Sequence, residues 1–157
     1  MPKPILKNNN LISIIKESIK LLHDLDKRIV INFNYTNDVM IFHSDSEQLG
    51  RVFVNLIKNA IESIQEKSID NPNFDRKIDI KIFDNSDYIE TLIIDNGIGF
   101  SSLKDNIKNI LNPYFTTKEK GTGLGLAIVN KIINDHNGSI NFIPLDVGIK
   151  IEIKFKK

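Results

Sequence analysis

The sequence predicts an α+β domain. Three stretches carry apolar residues at helical spacing, and six shorter ones read as strands. Four of those strands follow one another in two pairs, each pair closed by a short run of turn residues.

The elements follow in chain order. Residues 1–7 hold Pro2 and Pro4 and are expected to be linker. Leu11, Ile14, Ile15, Ile19 and Leu22 repeat at helical spacing, which predicts a helix over about 10–25. Ile29, Ile31, Phe33 and Tyr35 alternate with polar residues and predict a strand over 28–35. A turn at Thr36-Asn37-Asp38 leads to a short strand over 39–42. Ser44 or Asp45 can cap the next helix, expected to about Lys67. Its apolar stripe includes Leu49, Val52, Phe53, Leu56 and Ile57. Strands over 77–83 and 88–95 flank the turn Asp84-Asn85-Ser86-Asp87. A helix from about Leu124 ends near Asn137-Gly138, a good stop signal. Strands over 139–143 and 148–155 close the chain as an antiparallel pair.

Composition narrows the function. The chain is 157 residues long with 41% hydrophobic and 26% charged residues, enough for one globular domain with its own core. The formal net charge of +1 supplies no bulk field for nucleic acid, and no nucleic-acid partner is expected. There is no cysteine, which removes disulfides, zinc–thiolate sites and a cysteine nucleophile. No apolar run reaches the length of a membrane span, so no membrane contact is expected of this domain and a cytoplasmic setting is.

Three stretches carry chemistry. The first is NPYFTTKEKGTGLGL from Asn112 to Leu126. Gly121, Gly123 and Gly125 open a helix, and a helix N-terminus presents free N–H groups and partial positive charge to a phosphate. Thr116, Thr117, Lys118 and Thr122 can add hydrogen bonds and charge. The spacing matches neither the P-loop nor the dinucleotide fingerprint. The second is NLIKNAIES, which stacks Asn55 and Asn59 on one helix face at a spacing of four. Solvated stripes favour lysine or glutamate, so two asparagines there are informative. Their amide oxygens are hard, neutral donors that suit Mg²⁺. The third is Asp95-Asn96-Gly97-Ile98-Gly99 at the end of a strand. Alone it is a turn signal. After a buried strand it also sets a carboxylate where the exocyclic amine of adenine can donate to it.

In order, these stretches resemble the N, G1, F and G2 boxes of the catalytic, ATP-binding domain of sensor histidine kinases, within the GHKL superfamily shared with gyrase, Hsp90 and MutL. NPYFTTKEKGTGLGL further resembles the nitrogen-regulation sensors of the NtrB and NtrY kind. The resemblance covers nearly the whole chain, 8–157. It implies a two-layer α+β sandwich, the Bergerat or GHKL fold, with a mixed five-stranded sheet and helices packed on one face. It implies ATP and Mg²⁺ as cofactors and a γ-phosphoryl transfer to a histidine on a separate dimerisation domain. Asn59 then ligates Mg²⁺, and Asn55 lies beside it near the phosphates. Asp95, Gly97, Ile98 and Gly99 shape the adenine site. Phe115, Thr116, Thr117 and Lys118 belong to a lid over 101–120. Gly121, Thr122, Gly123, Leu124, Gly125 and Leu126 wrap the phosphates. Asn55 and Lys118 are the expected catalytic groups.

Two positions depart from the family pattern. Lysine and an aromatic often follow the second N-box asparagine by three and four residues; here Glu62 and Ser63 do, which leaves Lys118 as the basic contact. Ile149 follows Gly148 where a small residue or threonine is common. His23, His43 and His136 lack the context of a phosphoacceptor, so each is expected to be structural or solvated. The chain is therefore expected to be a monomeric fragment of a homodimeric parent. That parent would supply the H-box domain, could be anchored in the inner membrane, and would pass the phosphoryl group to a response regulator. The alternatives are a conformational ATPase of the same superfamily and a non-catalytic nucleotide-binding module. Against the first, Asn55 stands where those ATPases place a glutamate, and an amide is no general base.

Overall fold

The computed structural model describes residues 2–99 and 125–157. In chain order the elements are β1 (Lys7–Asn10), α1 (Leu11–Leu22), a 3₁₀ turn (His23–Leu25), β2 (Val30–Asn34), β3 (Ile41–Ser44) and α2 (Ser46–Asp70). There follow β4 (Lys77–Asp84), β5 (Tyr88–Asp95), α3 (Gly125–Asp135), β6 (Gly138–Pro144) and β7 (Ile149–Lys156). The main sheet has five strands in the order β2-β4-β5-β7-β6. β2 and β4 are parallel and the other pairs antiparallel, so the sheet is mixed, as expected. The parallel pair requires a crossover, and α2 supplies it.

Alternation in β4 turns Ile78, Ile80 and Ile82 inward, while Asp79 and Lys81 stay partly exposed. β7 does the same with Ile149, Ile151, Ile153 and Phe155. Against this apolar face α2 lays Leu49, Val52, Phe53, Leu56, Ile57 and Ile64, all fully buried. α1 adds Leu11, Ile12 and Ile15, and α3 adds Val129, Ile132 and Ile133. The helices thus cover one face of the sheet, and each fully buried aliphatic side chain contributes roughly 1.5–3 kcal/mol.

A second, two-stranded sheet was not expected. The short strand expected over 39–42 is β3, two residues further on, and it pairs with β1 rather than joining the main sheet. β1 opens at Lys7, the last residue expected to be linker. Its sequence Lys-Asn-Asn-Asn has no alternation to announce a strand; pairing with β3 imposes the conformation. Asn10 ties the junction together. Its Oδ1 accepts from Ile12 N–H at 3.2 Å as the N-cap of α1 and from Met40 N–H at 2.8 Å, and its Nδ2 donates to Asp38 O at 2.9 Å.

Of the two candidate caps for α2, the structure uses Asp45, whose Oδ1 accepts from Gln48 N–H at 3.1 Å. Its Oδ2 accepts from Ile5 N–H at 2.8 Å, and Gln48 Nε2 donates to Pro2 O at 3.0 Å. The N-terminal segment is therefore docked on the start of α2. His136 is buried and structural: its Nδ1–H donates to Ile132 O at 2.8 Å, and Nε2 accepts from Asp45 N–H at 3.0 Å.

Candidate functional site

The site begins at the C-terminal end of β5, where alternation brings Asp95 to the helix-covered face. Its side chain is buried at 3% exposure. Oδ1 accepts from Gly97 N–H at 2.9 Å. Among the described residues Oδ2 takes no hydrogen bond, which leaves one carboxylate oxygen for a ligand. Burial pushes the Asp95 carboxyl up to about 6, with the Gly97 N–H and the Lys67 charge holding it back.

The next residues lie directly on α2. A Cβ on Gly97 would come within 2.2 Å of Ser63 Oγ and 2.6 Å of the Ser63 carbonyl carbon, so only glycine fits. Ile98 N–H donates to Ser63 Oγ at 3.1 Å and faces Ser63 O at 3.4 Å. Lys67 Nζ donates to Asn96 O at 2.8 Å and sits 4.4 Å from the centre of the Phe74 ring. Asn96 bridges sideways, Nδ2 donating to Asp75 O and Oδ1 accepting from Lys77 N–H at 3.0 Å.

A second contact comes from the β6–β7 hairpin. Gly148 has φ +78°, and a Cβ there would lie 1.9 Å from Asp95 O. Gly99, at φ +62°, faces Gly148 O in the same way. The hairpin turn therefore underpins the backbone of Asp95.

Asn55 and Asn59 are partly exposed on α2, one turn apart. α3 begins at Gly125 beside the first of them: a Cβ on Gly125 would be 2.8 Å from Asn55 Oδ1. So α2 carries Asn55 against the start of α3 and, two turns on, Ser63 against residues 96–98. Leu126, expected to wrap the phosphates, packs partly buried against the core. Phe115, Thr116, Thr117, Lys118, Gly121, Thr122, Gly123 and Leu124 lie outside the described residues, as does the expected lid.

Sequence reasoning missed Ser63, Lys67, Asn96 and Gly148 as parts of this site. Ser63 stood out only as a departure from the family pattern, and Gly148 only as a hairpin glycine. Nothing local to Lys67 distinguishes it from other lysines.

A mixed five-stranded sheet with helices packed on one face is the architecture of solved histidine kinase catalytic domains that this chain matches. The solved catalytic domain of histidine kinase ThkA, nucleotide-free, superposes with a TM-score of 0.83 at 27% identity, covering 98% of this chain and 96% of that one. A ThkA structure in complex with the response regulator TrrA gives a TM-score of 0.77 at 23% identity, covering 97% of this chain and 42% of that one. The family model described as histidine kinase-, DNA gyrase B-, and HSP90-like ATPase matches residues 44–157, and the chain belongs to that family. The sequence is 33% identical over 156 residues to a Rickettsia prowazekii protein named as an NtrY-like sensor histidine kinase, covering 99% of this chain and 25% of the relative. It is 33% identical over 160 residues to the nitrogen regulation protein NtrY of Azorhizobium caulinodans, covering 99% and 20%. The chain thus spans about a quarter of the length of its Rickettsia relative and corresponds to the catalytic, nucleotide-binding part of such kinases.

Proposed function

We propose that this domain binds ATP with Mg²⁺ and donates the γ-phosphoryl group to a histidine on a separate dimerisation domain, as the first step of two-component signalling. The observation that carries this reading is Asp95: a buried carboxylate at a strand end, with one oxygen held by Gly97 and the other without a bond among the described residues. That second oxygen accepts the 6-amine of adenine; guanine, with a carbonyl at that position, offers it nothing.

The triphosphate end is assigned to the other end of α2. Asn55 beside the start of α3 fits a phosphate site, since a helix N-terminus presents N–H groups and partial positive charge to an anion. For Mg²⁺ the donor set also fits. Among the described residues no cluster of three His, Asp or Glu side chains could enclose a metal ion. Mg²⁺ does not need one, because it keeps waters and substrate phosphates and takes one or two protein oxygens. Asn59, one turn from Asn55, would hold it, and the ion would neutralise charge on the phosphates when bound. Asn55 and Lys118 are proposed as the groups that orient the γ-phosphoryl. Phosphoryl transfer asks mainly for positioning and charge stabilisation.

None of the three histidines is proposed as the acceptor: His136 is buried in structural bonds, and the exposed His23 and His43 contact Asp24 and Asn8. The acceptor is proposed to belong to an H-box domain of the parent protein. A response regulator, the class of partner that ThkA holds in its complex, is the proposed recipient. Among the described residues no helix is long and apolar enough to cross a membrane. The domain is proposed to face the cytoplasm, where ATP is.

The test supplies an H-box helical hairpin from an NtrY-like relative in trans with γ-labelled ATP. Label should appear on the hairpin as an acid-labile, base-stable phosphohistidine. ATP binding without transfer would point to a non-catalytic module, and rapid hydrolysis by the domain alone to a conformational ATPase.

A further inference from the structure

We infer that Ser63 and Lys67, one turn apart on α2, are positioning residues that hold the loop of residues 96–98 so that Asp95 meets adenine. The inference rests on Asp95 being the adenine reader. Ser63 closes the NLIKNAIES stretch as a departure from the family pattern, Lys67 lies one turn beyond it, and neither is an expected site residue.

The geometry makes a clamp with two unlike jaws. Ser63 accepts: its Oγ takes the Ile98 N–H at 3.1 Å. Lys67 donates: its Nζ gives to Asn96 O at 2.8 Å. The two bonds hold opposite ends of one tight turn, whose middle residue, Gly97, donates to Asp95 Oδ1. Gly97 lies so close to the Ser63 backbone that the loop cannot settle further onto the helix. A serine in a helix commonly turns its hydroxyl back to the carbonyl four residues earlier. Ser63 here offers its oxygen to the loop, and alanine would leave Ile98 N–H only the longer contact to the residue 63 carbonyl.

Lys67 has a second effect. α2 brings its charge towards Asp95, while β4 and β7 set Ile78 and Ile149 opposite that residue in the sheet. Among the described residues Lys67 is the one charged group that acts on the Asp95 carboxylate, and it favours the ionised form. The ammonium is itself steadied by the Phe74 ring beneath it.

The test compares ATP with purine riboside triphosphate, which has the same phosphates and lacks the 6-amine. Calorimetry on the 157-residue chain from pH 5 to 8 gives the ratio of the two affinities, in which phosphate titration cancels. Wild type should prefer ATP about ten-fold at pH 8, the worth of one good hydrogen bond, and lose the preference in acid. Ser63→Ala should reduce the pH 8 preference by about three-fold without moving its midpoint. Lys67→Met should move the midpoint to higher pH, and Lys67→Arg should restore it. Should Lys67→Met fail to fold, Lys67→Gln keeps a donor for Asn96 O and drops only the charge, so it carries the same test. No preference in wild type would overturn the adenine reading of Asp95. A wild-type preference that Ser63→Ala and the uncharged Lys67 variants keep, in size and midpoint, would overturn the clamp and leave that reading standing.

Discussion

A carboxyl group as buried as Asp95 destabilises the fold when it is ionised. Its folded value of about 6 lies above the ordinary 3.8, because burial outweighs the Gly97 bond and the Lys67 charge. The sign follows. Between these two values the folded state holds the proton more tightly than the unfolded chain does. Stability therefore falls as pH rises from about 4 to about 6 and levels off above. The loss at pH 8 is up to about 3 kcal/mol, from roughly two pH units at 1.36 kcal/mol each. Asp95→Asn should keep the bond from Gly97 and lose this penalty. Thermal melts should show the variant more stable than wild type at pH 8, with the gap closing towards pH 4. The same variant should bind ATP more weakly by about 1–3 kcal/mol, since a charged acceptor has become neutral. A variant less stable at pH 8 would contradict the burial cost. Gly148 makes a different residue-scale demand. At φ +78° and in contact with Asp95 O, it admits no Cβ, so Gly148→Ala should cost at least about 2 kcal/mol in denaturant unfolding.

At the scale of the element, α2 connects the two ends of the site. It runs 25 residues from Ser46 to Asp70, long enough to carry Asn55 beside α3 and Ser63 and Lys67 beside β5. Its start is held by Asp45, which also fastens the N-terminal segment through Ile5 N–H. Asp45→Ala should therefore lose both bonds. A drop of about 1–2 kcal/mol in unfolding free energy is expected, the usual worth of an N-cap. Within the helix, Asn59→Ala should leave the far-ultraviolet helical signal intact, because alanine is the better helix former. ATP affinity in that variant should no longer respond to Mg²⁺ as wild type does. An undiminished Mg²⁺ effect would remove Asn59 from the metal.

At the scale of the whole molecule, the domain is proposed to supply the ATP site and another part of the parent the acceptor histidine. Asn55 is an amide and cannot take a proton from water. The isolated chain is thus expected to bind ATP as a monomer, hydrolyse it very slowly and not label itself. Light scattering and γ-labelled ATP check the two halves of that statement. Turnover on the scale of ordinary enzymes, about 1 per second or more, would contradict it.

Much of this architecture was legible in the sequence, because periodicity reports which face of each element meets the core. Ile78, Ile80 and Ile82, or Leu49, Val52 and Leu56, declare their side by spacing alone. The box residues are legible for a related reason: each box is a short local run, which singled out Asp95, Gly97 and Asn59 as candidates, and the structure brings Asp95 and Gly97 together at the end of β5. What spacing does not encode is which distant segments meet. β1 has no pattern of its own and exists through β3. Gly148 looks like any hairpin glycine until the sheet register sets Ile149 opposite Asp95 and presses the turn against that backbone. Ser63 and Lys67 read as polar positions on a helix, and only the packing of β5 beside α2 makes them the supports of the loop. The sequence by itself determined the helices, the strands of the main sheet, their buried faces and the family resemblance, because those depend on residues near in the chain. Only the tertiary structure decided the strand order, the pairing of β1 and the groups that hold Asp95 in place, because those depend on contacts between residues far apart in it.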